Sequence, residues 1–146
     1  MTTLYIIRGV SGAGKTTFVK KRFSNVRHYE ADDYFSRFGT YCFNSEELPK
    51  AHEQCFEATE ASLEHGDDVV VSNTFTTISE LLPYLGLAKT LCVKVVIITL
   101  TTQYKNIHRV PEKTIQKQKD RFVSTKELKF SKLLAPYQEF IRYIDI

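Results

Sequence analysis

LYIIRGVSGAGKTT, residues Leu4 to Thr17, passes from a short β-branched apolar run into glycines and ends on a lysine and two threonines. Gly9, Gly14, Lys15 and Thr16 satisfy the pattern Gly-x4-Gly-Lys-Ser/Thr, with Gly12 as an additional glycine inside it. Each residue type has a physical task. Glycine admits positive φ and close approach, so that the N–H groups of Gly9, Ser11, Gly12, Ala13, Gly14 and Thr17 can converge on phosphate oxygens. Lys15 would neutralise the β- and γ-phosphates, and Thr16 would place its hydroxyl on Mg2+. The helix that begins there turns its positive dipole end to the same anion. Such a loop requires a strand before it and a helix after it. Leu4 to Ile7 supplies the first, and Phe18, Val19 and Phe23 supply apolar positions at helical spacing for the second. The competing reading, a glycine-rich turn that binds nothing, has neither requirement.

Working outward, Val26 to Glu30 reads as a second strand that delivers Ala31-Asp32-Asp33-Tyr34-Phe35 at its end. In open parallel sheets chemistry gathers at the carboxyl ends of strands. Asp32 is the candidate general base or orienting group for an attacking hydroxyl, and Asp33 a helix cap or metal-shell residue. The aromatic segment Phe35 to Phe43, which carries Arg37, either walls an acceptor pocket or fills core. A helix follows from the Asn44–Pro49 region to His65 and stops at Gly66. His52 falls with the apolar face, as a site residue or as a hydrogen-bonded structural histidine.

Asp68 to Ser72, with three valines in succession, reads as a buried parallel strand, placing Asn73 and Thr74 at its carboxyl end. Phosphate-loop enzymes often carry a metal-linked Asp there; Asn73 can hydrogen-bond a metal-bound water but brings no charge. Glu80 to Ala88 predicts a helix, and Leu91 to Leu100 (LCVKVVIITL) a central or near-central strand. The strict alternation of strands and helices predicts a doubly wound α/β sheet. Residues 104–111 form a candidate lid, with Lys105 and Arg109 as charges over a transferring phosphoryl group. Glu112 to Val123 reads as a helix, and Ser124 to Ile146 as largely helical spacing packed back on the sheet.

The 146 residues suit one domain spanning 1–146 with a single core. A net charge of +3 excludes a bulk polyanion binder, but the charge is uneven: residues 44–68 hold eight acids and one base, and residues 105–132 nine bases and three acids. The basic stretch either holds nucleotide or nucleic-acid phosphates or is a solvated helix face. Three cysteines without metal-like spacing predict free thiols in a reducing, cytoplasmic setting, and no run has transmembrane length or the form of a signal peptide.

Taken in order, RGVSGAGKTT, EADDYF, GTYCFN, AHEQC, VVVSNTFTT, ELLPYLGLA and KNIHRVPEKTIQKQKDRF resemble a small P-loop kinase of the group that contains phage polynucleotide 5′-hydroxyl kinases and the kinase-like domain of NEDD4-binding proteins. The resemblance covers about Tyr5 to Phe122. It implies a P-loop NTPase fold of kinase type, three layers α/β/α around a mostly parallel sheet, with ATP and Mg2+ as cofactors. The activity it implies is phosphorylation of a polynucleotide 5′-hydroxyl, or of a hydroxyl on a modified base. Asp32 then corresponds to the general base, Lys15 and Thr16 to the ATP and Mg2+ contacts, and Arg109 to a lid arginine. Lys105 stands where such kinases often have Arg. Two positions depart from that pattern: Asn73-Thr74-Phe75 stands for the usual Asp-Thr-Asn, and Phe35 for an arginine, with Arg37 two residues on. The rival expectations are a kinase of mononucleotides or other small molecules, and a regulatory module that binds ATP without catalysis. A GTPase lacks support because no Asn-Lys-x-Asp segment is present.

Overall fold

A computed structural model describes residues 1–102 and 110–146. Among them five strands form one sheet in the order β2-β3-β1-β4-β5. They are β1 (Thr3–Arg8), β2 (Arg27–Tyr29), β3 (Val69–Asn73), β4 (Lys94–Thr99) and β5 (Ile141–Asp145). Every pairing is parallel. The helices are α1 (Lys15–Arg22), α2 (Leu48–His65), α3 (Ile78–Leu91), α4 (Glu112–Arg121) and α5 (Thr125–Phe130). This is a P-loop NTPase-type α/β fold.

The three layers follow from strand alternation. Leu4, Ile6, Val69, Val71, Val95 and Ile97 face α2 and α3 and pack with Cys55, Leu63, Leu81 and Leu85. Ile7, Val70 and Ile98, one residue out of phase, face α1 and pack with Ala13 and Val19. A sheet buried on both faces needs continuous apolar strands, and VVV in β3 and VVII in β4 supply them. Because β1 lies in the middle of the order, whatever follows it emerges at the centre of the carboxyl edge.

Several boundaries differ from the sequence reading. Asn44 caps a 3-10 turn, Ser45–Glu47, through the N–H of Glu46, and α2 proper begins at Leu48 with Pro49 in its first turn. It ends as expected at Gly66, which takes the left-handed conformation. The expected helical tail is instead α5, a 3-10 turn over Ala135–Phe140, and the edge strand β5. Tyr143 and Ile144 alternate there across the two faces, a period of two over too few residues to override the helical spacing that precedes it. Among the described residues no helix is long and apolar enough to cross a membrane.

Arg8, the last residue of β1, has no solvent exposure. Its Nε donates to the Phe75 carbonyl (3.0 Å), its Nη1 to Thr99 Oγ1 (3.4 Å) and its Nη2 to the Val123 carbonyl (2.6 Å), and the Phe122 ring covers the guanidinium at 4.1 Å. Burial pushes its pKa down to about 10, against the pull of Asp145, Glu80 and Glu127. Arg8→Met should strand the Phe75 and Val123 carbonyls and cost about 2–5 kcal/mol of stability. Urea unfolding reads this directly, and a loss below about 1 kcal/mol would mean that the guanidinium network contributes little.

Candidate active site

The loop after β1 is held against the sheet at its base. The N–H of Gly9 donates to the Thr74 carbonyl (3.3 Å), and the N–H of Ala13 closes a turn onto the Val10 carbonyl (3.1 Å). Gly9 itself has no room for a side chain: a Cβ there would lie 2.9 Å from Ala13 Cβ and 3.1 Å from the Leu100 carbonyl oxygen. Gly12 and Gly14 adopt φ of 87° and 83°, which turns the backbone between them around a concave edge. Gly14 caps α1 with no side-chain bond, and no acidic residue stands in the helix's own first turn, so the helix itself supplies no charge that would oppose an anion at its N-terminus.

Lys15 Nζ folds back over this edge, donating to the carbonyls of Gly9 (2.9 Å) and Val10 (3.0 Å). Burial pushes its pKa down to about 8, and the carboxylates of Glu30 and Asp32 pull in the other direction. On the outer side the N–H of Ser11 donates to Oε1 of Gln118 (2.8 Å), a buried residue of α4, so the basic helix is tied to the loop. Thr17 is exposed on α1.

Across from the loop, the chain leaving β2 enters a 3-10 turn over Ala31–Ser36. Asp33 is its inner cap, accepting from the N–H of Glu30 (3.2 Å). Asp32 is partly exposed and accepts from the Tyr41 hydroxyl (3.4 Å). Burial and the neighbouring Asp32 push that phenol up to about 12, which keeps it a donor. Glu30, read from sequence only as the end of a strand, accepts from Thr16 Oγ1 (3.0 Å) and from Ser72 Oγ (2.9 Å). Ser72 gives its one proton to Glu30, so the 2.6 Å contact with His28 Nε2 requires the proton on that nitrogen. A threonine hydroxyl against a carboxylate is a hard-oxygen donor set, which suits Mg2+ rather than a soft metal.

The remaining expected residues separate. Asn73 Oδ1 accepts from the N–H of Ala31 (2.8 Å) and its amide nitrogen reaches Cys55 Sγ (3.6 Å), so it braces the turn from the α2 side. Thr74 contributes its carbonyl to Gly9. Arg37 lies on its own segment, over the Tyr34 ring at 3.8 Å, bonded to the Tyr34 carbonyl (2.7 Å) and 3.8 Å from Glu47. His52 is exposed, a correction to its expected inward place: the buried stripe of α2 is Ala51, Cys55, Thr59 and Leu63, and His52 stands 100° round from Ala51. Lys105 and Arg109, with most of the expected lid, lie outside the described residues. Glu30, Gln118 and Arg8 are the residues that sequence reasoning missed. The one signal for Glu30 was its place directly before Ala31-Asp32-Asp33.

Residues 4–129 match a family model described as an AAA domain. Among solved structures, the chain is similar to the AvrRxo1-ORF1:-ORF2 complex with ATP, at a TM-score of 0.67 and 17% identity, over 99% of this chain and 55% of that one. It is similar to the Pnkp1/Rnl/Hen1 RNA repair complex at a TM-score of 0.57 and 16% identity, over 94% of this chain and 45% of that one. It is also similar to the APS kinase CysC of Mycobacterium tuberculosis, at a TM-score of 0.51 and 14% identity, over 82% of this chain and 96% of that one. At these identities the likeness is one of fold. The chain spans about half the length of the first two.

The seat of Gly9 can be checked by substitution. Gly9→Ala would press a methyl on Ala13 and on the Leu100 backbone, and should cost about 1–3 kcal/mol in chemical denaturation; an unchanged midpoint would show that the loop base can shift freely.

Proposed function

The chain belongs to the AAA domain family, with residues 4–129 inside the family's span, and we propose that it is an ATP- and Mg2+-dependent kinase acting on a nucleic-acid hydroxyl. The acceptor is a polynucleotide 5′-hydroxyl or a hydroxyl on a modified base. One observation carries this reading: Asp32 stands close enough to act on the charge of Lys15, and it accepts a hydrogen bond from a hydroxyl, that of Tyr41. A carboxylate that takes a hydroxyl proton beside a phosphate loop is what phosphoryl transfer to an alcohol requires.

In this reading the loop N–H groups and Lys15 hold the triphosphate. The acceptor oxygen attacks the γ-phosphorus, its proton passes to Asp32, and the bond to the β–γ bridging oxygen breaks to release ADP. Thr16 and the carboxylate beside it would hold Mg2+, which supplies charge neutralisation on the phosphates. Lys105 and Arg109 are proposed as lid charges. Nucleic acid is favoured over a small acceptor because Phe38 and Phe43, 86% and 53% exposed, stand in the segment that follows Asp32 and offer faces on which bases can stack. The basic α4, tied to the loop through Gln118, adds phosphate contacts.

Transfer of labelled γ-phosphate from ATP should mark 5′-hydroxyl or hydroxymethylated oligonucleotides, and Asp32→Asn should lower the rate at least about 100-fold while leaving ATP affinity within about threefold. Label on nucleosides or small alcohols alone would favour the small-molecule kinase. ATP binding without transfer to any acceptor would favour a regulatory module.

Lys15 gives a second test through pH. In the nucleotide-free protein it loses its proton near pH 8, whereas bound phosphate holds the proton on. The complex therefore carries more protons than its components above pH 8. ATP affinity should fall as pH rises through 8, by up to about tenfold per unit. Calorimetric titration from pH 7 to 9.5 measures the slope, and Lys15→Met should bind weakly with a flat profile. A flat wild-type profile would remove Lys15 from the phosphate site.

A further inference from the structure

Neighbouring residues on a strand face opposite sides of the sheet, and at the carboxyl end of β3 this divides Ser72 from Asn73. Asn73 pairs in register with Arg8 and turns to the α2 side, where its oxygen serves the N–H of Ala31 and its nitrogen meets Cys55. It is 9% exposed and carries no charge. Ser72 pairs in register with Ile7, whose side chain belongs to the α1 cluster, and so turns to the side on which the phosphate loop continues as α1. The Ser72 hydroxyl meets Glu30 Oε2 at 2.9 Å, and that same oxygen takes the Thr16 hydroxyl at 3.0 Å. The carboxylate, carried just past the end of β2, is thus fixed by hydroxyls from two other elements, the end of β3 and the first turn of α1.

We propose that Glu30 is the carboxylate that holds the divalent cation at Thr16, and that Asn73 is a brace for the Ala31 turn with no part in metal binding. The inference rests on the reading of the loop as a nucleotide site. Three features favour it over a purely structural role for Glu30. Its side chain is 19% exposed, so the carboxylate reaches solvent from a defined position. The oxygen that meets Thr16 is the one that Ser72 and His28 orient, with His28 Nε2 at 3.7 Å. The paired hydroxyl belongs to the loop residue expected on Mg2+, so a cation at that hydroxyl has an anionic oxygen beside it without rearrangement. Ser72 and His28 are positioning residues: they set the carboxylate and do not reach the cation themselves.

The test uses the full chain with Mn2+ as a spin-active probe and ADP as the nucleotide. Free Mn2+ is read by electron paramagnetic resonance, and ADP affinity is measured separately in chelator. Glu30→Gln keeps the shape and removes the charge. Mn2+ should bind its ADP complex about 10- to 100-fold more weakly than the wild-type complex, with metal-free ADP affinity within about threefold. Adding Asn73→Asp to Glu30→Gln should restore none of the loss, because that side chain points to the α2 side. Ser72→Ala, which leaves the charge in place, should weaken Mn2+ less than Glu30→Gln does.

Mn2+ affinity in Glu30→Gln within about twofold of wild type overturns the proposal, as does recovery on adding Asn73→Asp. Equal losses in Ser72→Ala and Glu30→Gln also overturn it, since they would indicate a structural network rather than a ligand. Melting temperature without ligands checks folding; if Glu30→Gln does not fold, Glu30→Asp is read instead, with a loss of at least about tenfold expected for a retracted charge and an unchanged affinity overturning the proposal. A wild-type chain that binds no ADP in chelator would instead overturn the nucleotide reading itself.

Discussion

A guanidinium shut away from water at the end of the central strand fixes the geometry of everything above it. Arg8 donates to carbonyls of the segments that leave β3 and α4 and to a hydroxyl at the end of β4, so three separate crossings are gathered on one planar group. A buried charge with carbonyl partners persists only while those partners stay in place, because losing one leaves desolvation uncompensated. The phosphate loop begins one residue later. Its base inherits this rigidity, and the contact of Gly9 with the Thr74 carbonyl extends it by one further strand end.

Above that base one ammonium sits in the field of two carboxylates. The Lys15 ammonium lies on carbonyls of its own loop, with Glu30 and Asp32 both acting on it, and neither carboxylate is within ion-pair distance among the described residues. The two acids differ in their burdens. Glu30 is held by hydroxyls of Thr16 and Ser72, whereas Asp32, among the described residues, accepts from a phenol at 3.4 Å. A carboxylate locked by several donors suits a fixed charge, and one with a single long hydrogen bond suits proton exchange. That contrast, rather than the mere presence of acids, is what the proposed division of roles rests on.

Much of this was legible in the sequence, for reasons that belong to particular residues. The loop was readable because Gly9, Gly12 and Gly14 answer a steric need that other residues cannot meet. The apolar strands were readable because both faces are covered, and Gly66 marked the end of α2 by its left-handed backbone. The end of the chain was misread because β5 has five residues and follows apolar positions spaced as in a helix. His52 was misplaced because one residue of phase moves a side chain off the buried stripe. Glu30 was hidden for a different reason. Its partners are 14 and 42 residues away in sequence, and no local pattern encodes a contact made by three elements meeting at one edge of a sheet.

The Tyr41 hydroxyl on Asp32 bears on a difficulty common to every enzyme that activates an alcohol. A carboxylate able to draw a proton from an acceptor is equally able to draw one from water, and the triphosphate would then be hydrolysed with nothing gained. With the phenol in place, one oxygen of the carboxylate that would polarise a stray water already has a partner, at 3.4 Å. In the proposed reading, an acceptor docked against the aromatic segment would compete with the phenol for that oxygen. The tyrosine would then guard the carboxylate against water by occupying it, and the hydroxyl able to take its seat would be the acceptor.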